Sequence, residues 1–85
     1  MEIVYLPKAS EDLKYWKKSG QKQIQTRILS LLQSIQQSPF EGIGKPEPLK
    51  YELSGKWSRR IDHEHRIVYS FDNDVINVYS LRGHY

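Results

Sequence analysis

The chain contains no cysteine, which excludes a disulfide framework and a thiolate metal site. Its three histidines are scattered and do not by themselves compose a zinc site, so no metal or other cofactor is expected. No apolar run approaches the roughly 20 residues needed to span a bilayer. The opening stretch, Met1 to Leu6, runs into a proline and an acidic segment, unlike a signal peptide. These absences predict a cytoplasmic protein with no membrane attachment. At 85 residues the chain is also too short for two cores, so one domain over residues 1–85 is expected. Apolar content is low at 38%, but two Trp and six Tyr supply large, stiff side chains that bury much area each.

Charge of one sign is in only small excess, +3 from 13 basic and 10 acidic residues. Its distribution is more informative. Lys45, Lys50, Lys56, Arg59 and Arg60 face only Glu47 and Glu52 between residues 45 and 60, and the rest of the chain, with eight of each sign, is neutral. Localised positive charge favours a polyanion through counterion release. An ordinary solvated strand pair would carry the same charges, and charge alone does not separate the two.

Glu2 to Leu6 (EIVYL) is a β-branched and aromatic run halted by Pro7, and reads as a strand. Ser10 is placed to cap a following helix, with Glu11 and Asp12 in its first turn and Ala9, Leu13 and Trp16 on one face, until Ser19-Gly20 breaks it. From about Gln21 to Gln37 a second helix carries Ile24, Ile28, Leu31, Leu32 and Ile35 on one stripe. Phe40 to Pro48 (FEGIGKPEP) holds two Gly and two Pro in nine residues and predicts a constrained loop.

From Leu49 the period falls to two. Leu49 to Leu53, Trp57 to Asp62, Arg66 to Asp72 and Val75 to Leu81 read as strands joined by short turns at 54–56, 63–65 and 73–74. Short connections make these neighbours antiparallel. The expected fold is α+β, with an N-terminal strand and two helices packed on one face of a mainly antiparallel sheet. In RIVYSF, Ile67, Tyr69 and Phe71 share the richer apolar side, which should meet the helices. Arg66 would then stand on the open face, where an extended anion could lie against it.

The string GKPEPLKYELSGKWSRRIDHEHRIVYSF, from Gly44 to Phe71, resembles the signature of the YoeB/Txe toxins within the RelE-like superfamily. GKPEPLK, LSGKWSRRI, EHRIVY and the terminal His84-Tyr85 carry the match, which extends forward through SPFEG and Tyr15-Trp16 to nearly the whole chain. The resemblance implies a RelE-like fold and ribosome-dependent cleavage of mRNA in the decoding site. It also implies neutralisation by a cognate antitoxin of the YefM/Axe kind, and it leaves open a homodimer, which no sequence feature fixes.

RNA cleavage without a metal uses the adjacent 2′-hydroxyl as nucleophile, and so needs a base, an acid for the leaving 5′-oxygen and positive charge for the phosphorane. By resemblance Glu47 is the base, flanked by Pro46 and Pro48, whose restricted backbone should fix its direction. From the prolines alone, a solvated loop glutamate is the simpler reading. His84 is the candidate acid, because an ordinary imidazole pKa of about 6.5 leaves a useful protonated fraction at neutral pH. Without the resemblance it would read as a frayed terminal histidine. Tyr85 adds a hydroxyl, a ring and the C-terminal carboxylate, and Gly83 lets the tail turn sharply.

Arg66 can meet the phosphorane with two parallel N–H donors. Lys45, Lys50, Lys56, Arg59 and Arg60 would hold flanking phosphates or ribosomal RNA. Adjacent in a strand, Arg59 and Arg60 should point to opposite faces, one lining the groove and the other facing the ribosome or solvent. Trp16 and Trp57 sit in apolar patterns and read as scaffold, His63 as exposed and His65 as structural. Two other functions stay open on the residues alone: a binding toxin that cuts nothing, and a basic RNA-binding module without toxicity.

Overall fold

Pro7 decides where the first strand ends. In the computed structural model, which describes residues 1–83, β1 (Glu2–Tyr5) leads through Leu6 directly into α1 (Pro7–Ser19). Proline has no N–H to leave unsatisfied in the first helical turn, and its fixed φ is already helical. Ser10 is therefore one turn inside the helix and not its cap: its own N–H donates to the Leu6 carbonyl at 2.9 Å, and Leu6 is the capping residue. Gly20, at φ 71°, ends the helix in the left-handed conformation. α2 (Lys22–Gln37) follows after a two-residue break.

The remaining elements are β2 (Glu47–Pro48), a single 3-10 turn (Tyr51–Leu53), β3 (Trp57–Arg60), β4 (Arg66–Asp72) and β5 (Val75–Ser80). They form one five-stranded sheet in the order β1-β5-β4-β3-β2. β1 runs parallel to β5 and the other pairs are antiparallel. The expected α+β arrangement is observed, with one correction: Leu49 to Leu53 is not a strand. Tyr51 takes φ 59°, which breaks the extended run, and the ladder between β2 and β3 stops once the Leu49 N–H has reached the Lys56 carbonyl. Pairing moves instead to Glu47 and Pro48, inside the segment read as loop. Between β4 and β5, Asn73 and Asp74 both have positive φ, the backbone of a type I′ hairpin turn.

One core fills the space between helices and sheet. Ala9 and Trp16 from α1 and Ile28, Leu31, Leu32 and Ile35 from α2 meet Ile67 and Tyr69 of β4 and Ile76 and Val78 of β5. The two helical stripes are thus the buried ones, and the Ile67/Tyr69 side of β4 is the side that meets them. Among the described residues no helix is long and apolar enough to cross a membrane.

Candidate active site

The opposite sheet face follows from the register. Cross-strand partners share a face, so Glu47, Ser58 and Val68 form one row across β2, β3 and β4, and Arg60 and Arg66 form the next row. Two strand spacings and two residues separate the Glu47 and Arg66 Cα atoms, roughly 12 Å. A long carboxylate side chain and a longer guanidinium side chain can close on one phosphodiester across that span. Ser58 and Val68 are buried and make the floor, while Glu47 and Arg60 are exposed and Arg66 is half-buried.

Two arginines directly opposite each other on a sheet repel. The Arg66 guanidinium is held by two backbone carbonyls, with Nη1 donating to the Asp62 oxygen at 3.1 Å and the His65 oxygen at 3.3 Å. Such an arrangement keeps positive charge concentrated on one face with an orientation fixed from below, as an anion site requires. Lys56 borders the same face, its Nζ 4.3 Å from the Tyr79 ring centre, and the Tyr79 hydroxyl is bonded to Ser70 at 2.9 Å.

The turn before Arg66 is built by Asp62. Its Oδ1 accepts from the Glu64 and His65 backbone N–H groups at 2.9 and 2.7 Å, an Asx-type turn. Partial burial works to raise the Asp62 carboxyl, but these two donors and the electrostatic influence of the neighbouring His65 and His63 rings outweigh it and hold the group below its usual range. His63 is exposed. His65 lies edge-on to the Trp16 ring, centres 4.9 Å apart, and accepts the Gly83 N–H on Nδ1 at 2.8 Å.

Glu47, Arg66 and Arg60 are brought to one face, with exposed Lys45 and Lys50 at its β2 side. Lys50 and Tyr51 line, with Glu47, an open groove of about 470 Å³. His84 and Tyr85 lie outside the described residues.

Arg59 overturns its expected role. The two neighbours do point to opposite faces, but Arg59 is fully buried on the helical side and cannot touch RNA or ribosome. All five of its N–H donors are used: Nε on the Tyr69 hydroxyl (3.0 Å), Nη1 on Ser34 Oγ (2.8 Å) and the Ile43 carbonyl (3.2 Å), Nη2 on the Ser38 and Glu41 carbonyls (2.7 and 2.8 Å). It is an internal tie that gathers residues 38–43 and sets the path of the chain toward Glu47. Gly42 and Gly44 fit that path: a Cβ on Gly42 would strike Ser34 Oγ, and one on Gly44 would lie 2.6 Å from a Leu31 methyl.

Tyr51 borders the same groove. It is 87% exposed in a left-handed conformation that aromatic residues rarely adopt, beside Glu47 and Lys50, in the turn that stands where a strand was expected.

Comparison with known proteins places the chain in a family. The family model for the YoeB-like toxin of bacterial type II toxin-antitoxin systems matches residues 5–85. The toxin YoeB of Mycobacterium bovis is 51% identical over 79 residues, covering 93% of this chain and 92% of that protein. The YoeB/ParE toxin from Agrobacterium tumefaciens superposes with a TM-score of 0.95 at 36% identity over the full length of both chains. The toxin in the YoeB-YefM complex from Staphylococcus aureus does so with a TM-score of 0.91 at 45% identity, covering 100% of this chain and 98% of that one. The fold is accordingly RelE-like, and the chain belongs to the YoeB-like toxin family of bacterial type II toxin-antitoxin systems.

Proposed function

We propose that this toxin is a ribosome-dependent endoribonuclease that cuts mRNA in the decoding site and thereby stops translation. The observation that carries this reading is the single sheet face on which Glu47 and the opposed pair Arg60 and Arg66 stand together, with Gly83 hydrogen-bonded alongside Arg66. Glu47 takes the proton of the ribose 2′-hydroxyl, which attacks the adjacent phosphorus without a metal. Arg66 neutralises the charge that grows on the equatorial oxygens, where a guanidinium's paired donors match the geometry. His84 gives a proton to the leaving 5′-oxygen, and Tyr85 helps hold that end of the site. Arg60, Lys45, Lys50 and Lys56 bind flanking phosphates.

The Staphylococcus aureus relative has been solved with the antitoxin YefM and as a YoeB dimer. By the same reading a cognate antitoxin controls this chain in the cytoplasm, covering the basic face with an acidic segment, and self-association is open to it. The test is to map mRNA 5′-ends in a translation reaction given wild-type or Arg66→Ala protein. Cuts inside translated codons that vanish with the variant are expected. Toxicity that survives Glu47→Ala, Arg66→Ala and His84→Ala together would reject cleavage as the toxic act.

A further inference from the structure

Residues 81–83 are tied to α1 and to the start of β4 by hydrogen bonds. Three ties come from α1: Trp16 Nε1 donates to the Leu81 carbonyl at 2.9 Å, the Asp12 carboxylate accepts the Leu81 N–H at 3.0 Å, and Lys8 Nζ reaches the Arg82 carbonyl at 3.2 Å. Two more bonds grip Gly83 from both sides. Its carbonyl accepts the Arg66 N–H at 3.1 Å, and its N–H donates to His65 Nδ1 at 2.8 Å. That bond requires a free lone pair on Nδ1, hence a proton on Nε2 in the neutral ring. The imidazole is itself fixed, with its edge against Trp16 and its backbone N–H on Asp62.

We propose that His65 is a positioning residue for the cleavage reaction, its Nδ1 fixing Gly83 so that the His84-Tyr85 pair departs from a set point beside Arg66. The proposal rests on the cleavage reading above. A general acid must come within hydrogen-bond reach of its target oxygen, and His84 directly follows the residue that this bond holds. His65 and Arg66 are consecutive, so the turn made by Asp62 orients the guanidinium and the tail anchor together. Loss of the Nδ1 acceptor alone leaves the Asp62 turn and the carbonyls that hold the Arg66 guanidinium, and releases the Gly83 N–H.

The test uses His65→Phe, which keeps a ring against Trp16 without an acceptor, and His65→Asn, whose side-chain oxygen can replace Nδ1. Gly83 amide exchange is read by NMR, and cleavage is followed in single turnovers on programmed ribosomes. His65→Phe is expected to lose Gly83 protection and to cleave about 10- to 100-fold more slowly. KM for programmed ribosomes and the thermal midpoint should stay near wild type, and His65→Asn should restore both protection and rate.

Cleavage by His65→Phe within twofold of wild type, or no rescue by Asn, overturns the proposal. If His65→Phe fails to fold, Gly83→Ala perturbs the same point from the other side. Gly83 has φ +87° with nothing within 4 Å of an added Cβ, so the strain is that of the backbone at position 83 and the same loss of rate is expected. A wild-type protein that shows Gly83 protection but cleaves nothing would overturn the nuclease reading itself, a different failure from an active enzyme indifferent to His65.

Discussion

Replacing Arg59 separates the buried tie from an RNA contact. In Arg59→Met the apolar stem of the side chain is nearly conserved, so the loss is that of five hydrogen bonds from a fully buried guanidinium. The acceptors left behind are three loop carbonyls and the Ser34 and Tyr69 hydroxyls. The carbonyls belong to a surface loop and can recover water by moving, whereas the Tyr69 hydroxyl is held by its own bond to the Pro39 carbonyl at 2.7 Å. Breaking a buried hydrogen-bonded charge network costs about 3–5 kcal/mol. A chain of this length has roughly 4–13 kcal/mol in all, so the variant should sit at the edge of folding. At about 4–8 °C per kcal/mol, the thermal midpoint should fall by at least about 12 °C.

Arg59→Lys keeps the charge but offers three donors from one point, and should still cost about 2 kcal/mol or more. The neighbouring, exposed Arg60→Ala should change stability by less than about 0.5 kcal/mol. Urea titration of the purified proteins measures all three. Wild-type stability in Arg59→Lys, together with weakened ribosome binding, would refute the burial argument and return Arg59 to the RNA-facing surface.

Gly44→Ala should lose about 1–3 kcal/mol in the same titration, because the added methyl meets Leu31 and the backbone sits at φ +85°. Changing Lys50 or Arg60 to Ala should weaken ribosome binding and flatten its dependence on log salt by about one unit for each phosphate no longer neutralised, measured by filter binding across a salt series. The Asp62 carboxyl is held below its usual value in the folded protein, so its contribution is present above the unfolded pKa of about 3.9 and is lost as pH falls through the lowered folded value. Acid unfolding followed by circular dichroism should therefore show a component absent from Asp62→Ala. In Asp62→Asn, which keeps the turn's acceptor, the turn should survive without that pH dependence.

Residue pattern revealed the fold wherever period and burial coincide. Ile24 through Ile35 repeat at helical spacing and bury against the sheet; Ile67, Tyr69 and Phe71 alternate and face the helices. The failures are local. Leu49 to Leu53 alternates as a strand would, but a turn with Tyr51 at positive φ interrupts it, a tertiary choice that alternation does not encode. Ser10 has the chemistry of a cap and lost the position to Pro7. At the site, Glu47, Arg60 and Arg66 stand on one sheet face. Arg59 does not, because nothing in a run of two arginines says which will find five internal acceptors. The tail anchor on Gly83 was invisible for a related reason: it depends on residues 18 positions apart meeting across a turn.

The parallel pairing of β1 with β5 carries a consequence for biosynthesis. Among the described residues β1 has no sheet neighbour other than β5, and the Trp16 and Asp12 bonds to Leu81 span more than sixty residues. A nascent polypeptide lacking its final strand therefore has its first strand unpaired and its amino-terminal helix without its distal anchors. Contacts so remote along the chain also form slowly. The folded shape of this toxin thus stays incomplete until residues 75–81 have left the ribosome that makes it and can pair with β1 and bond to α1.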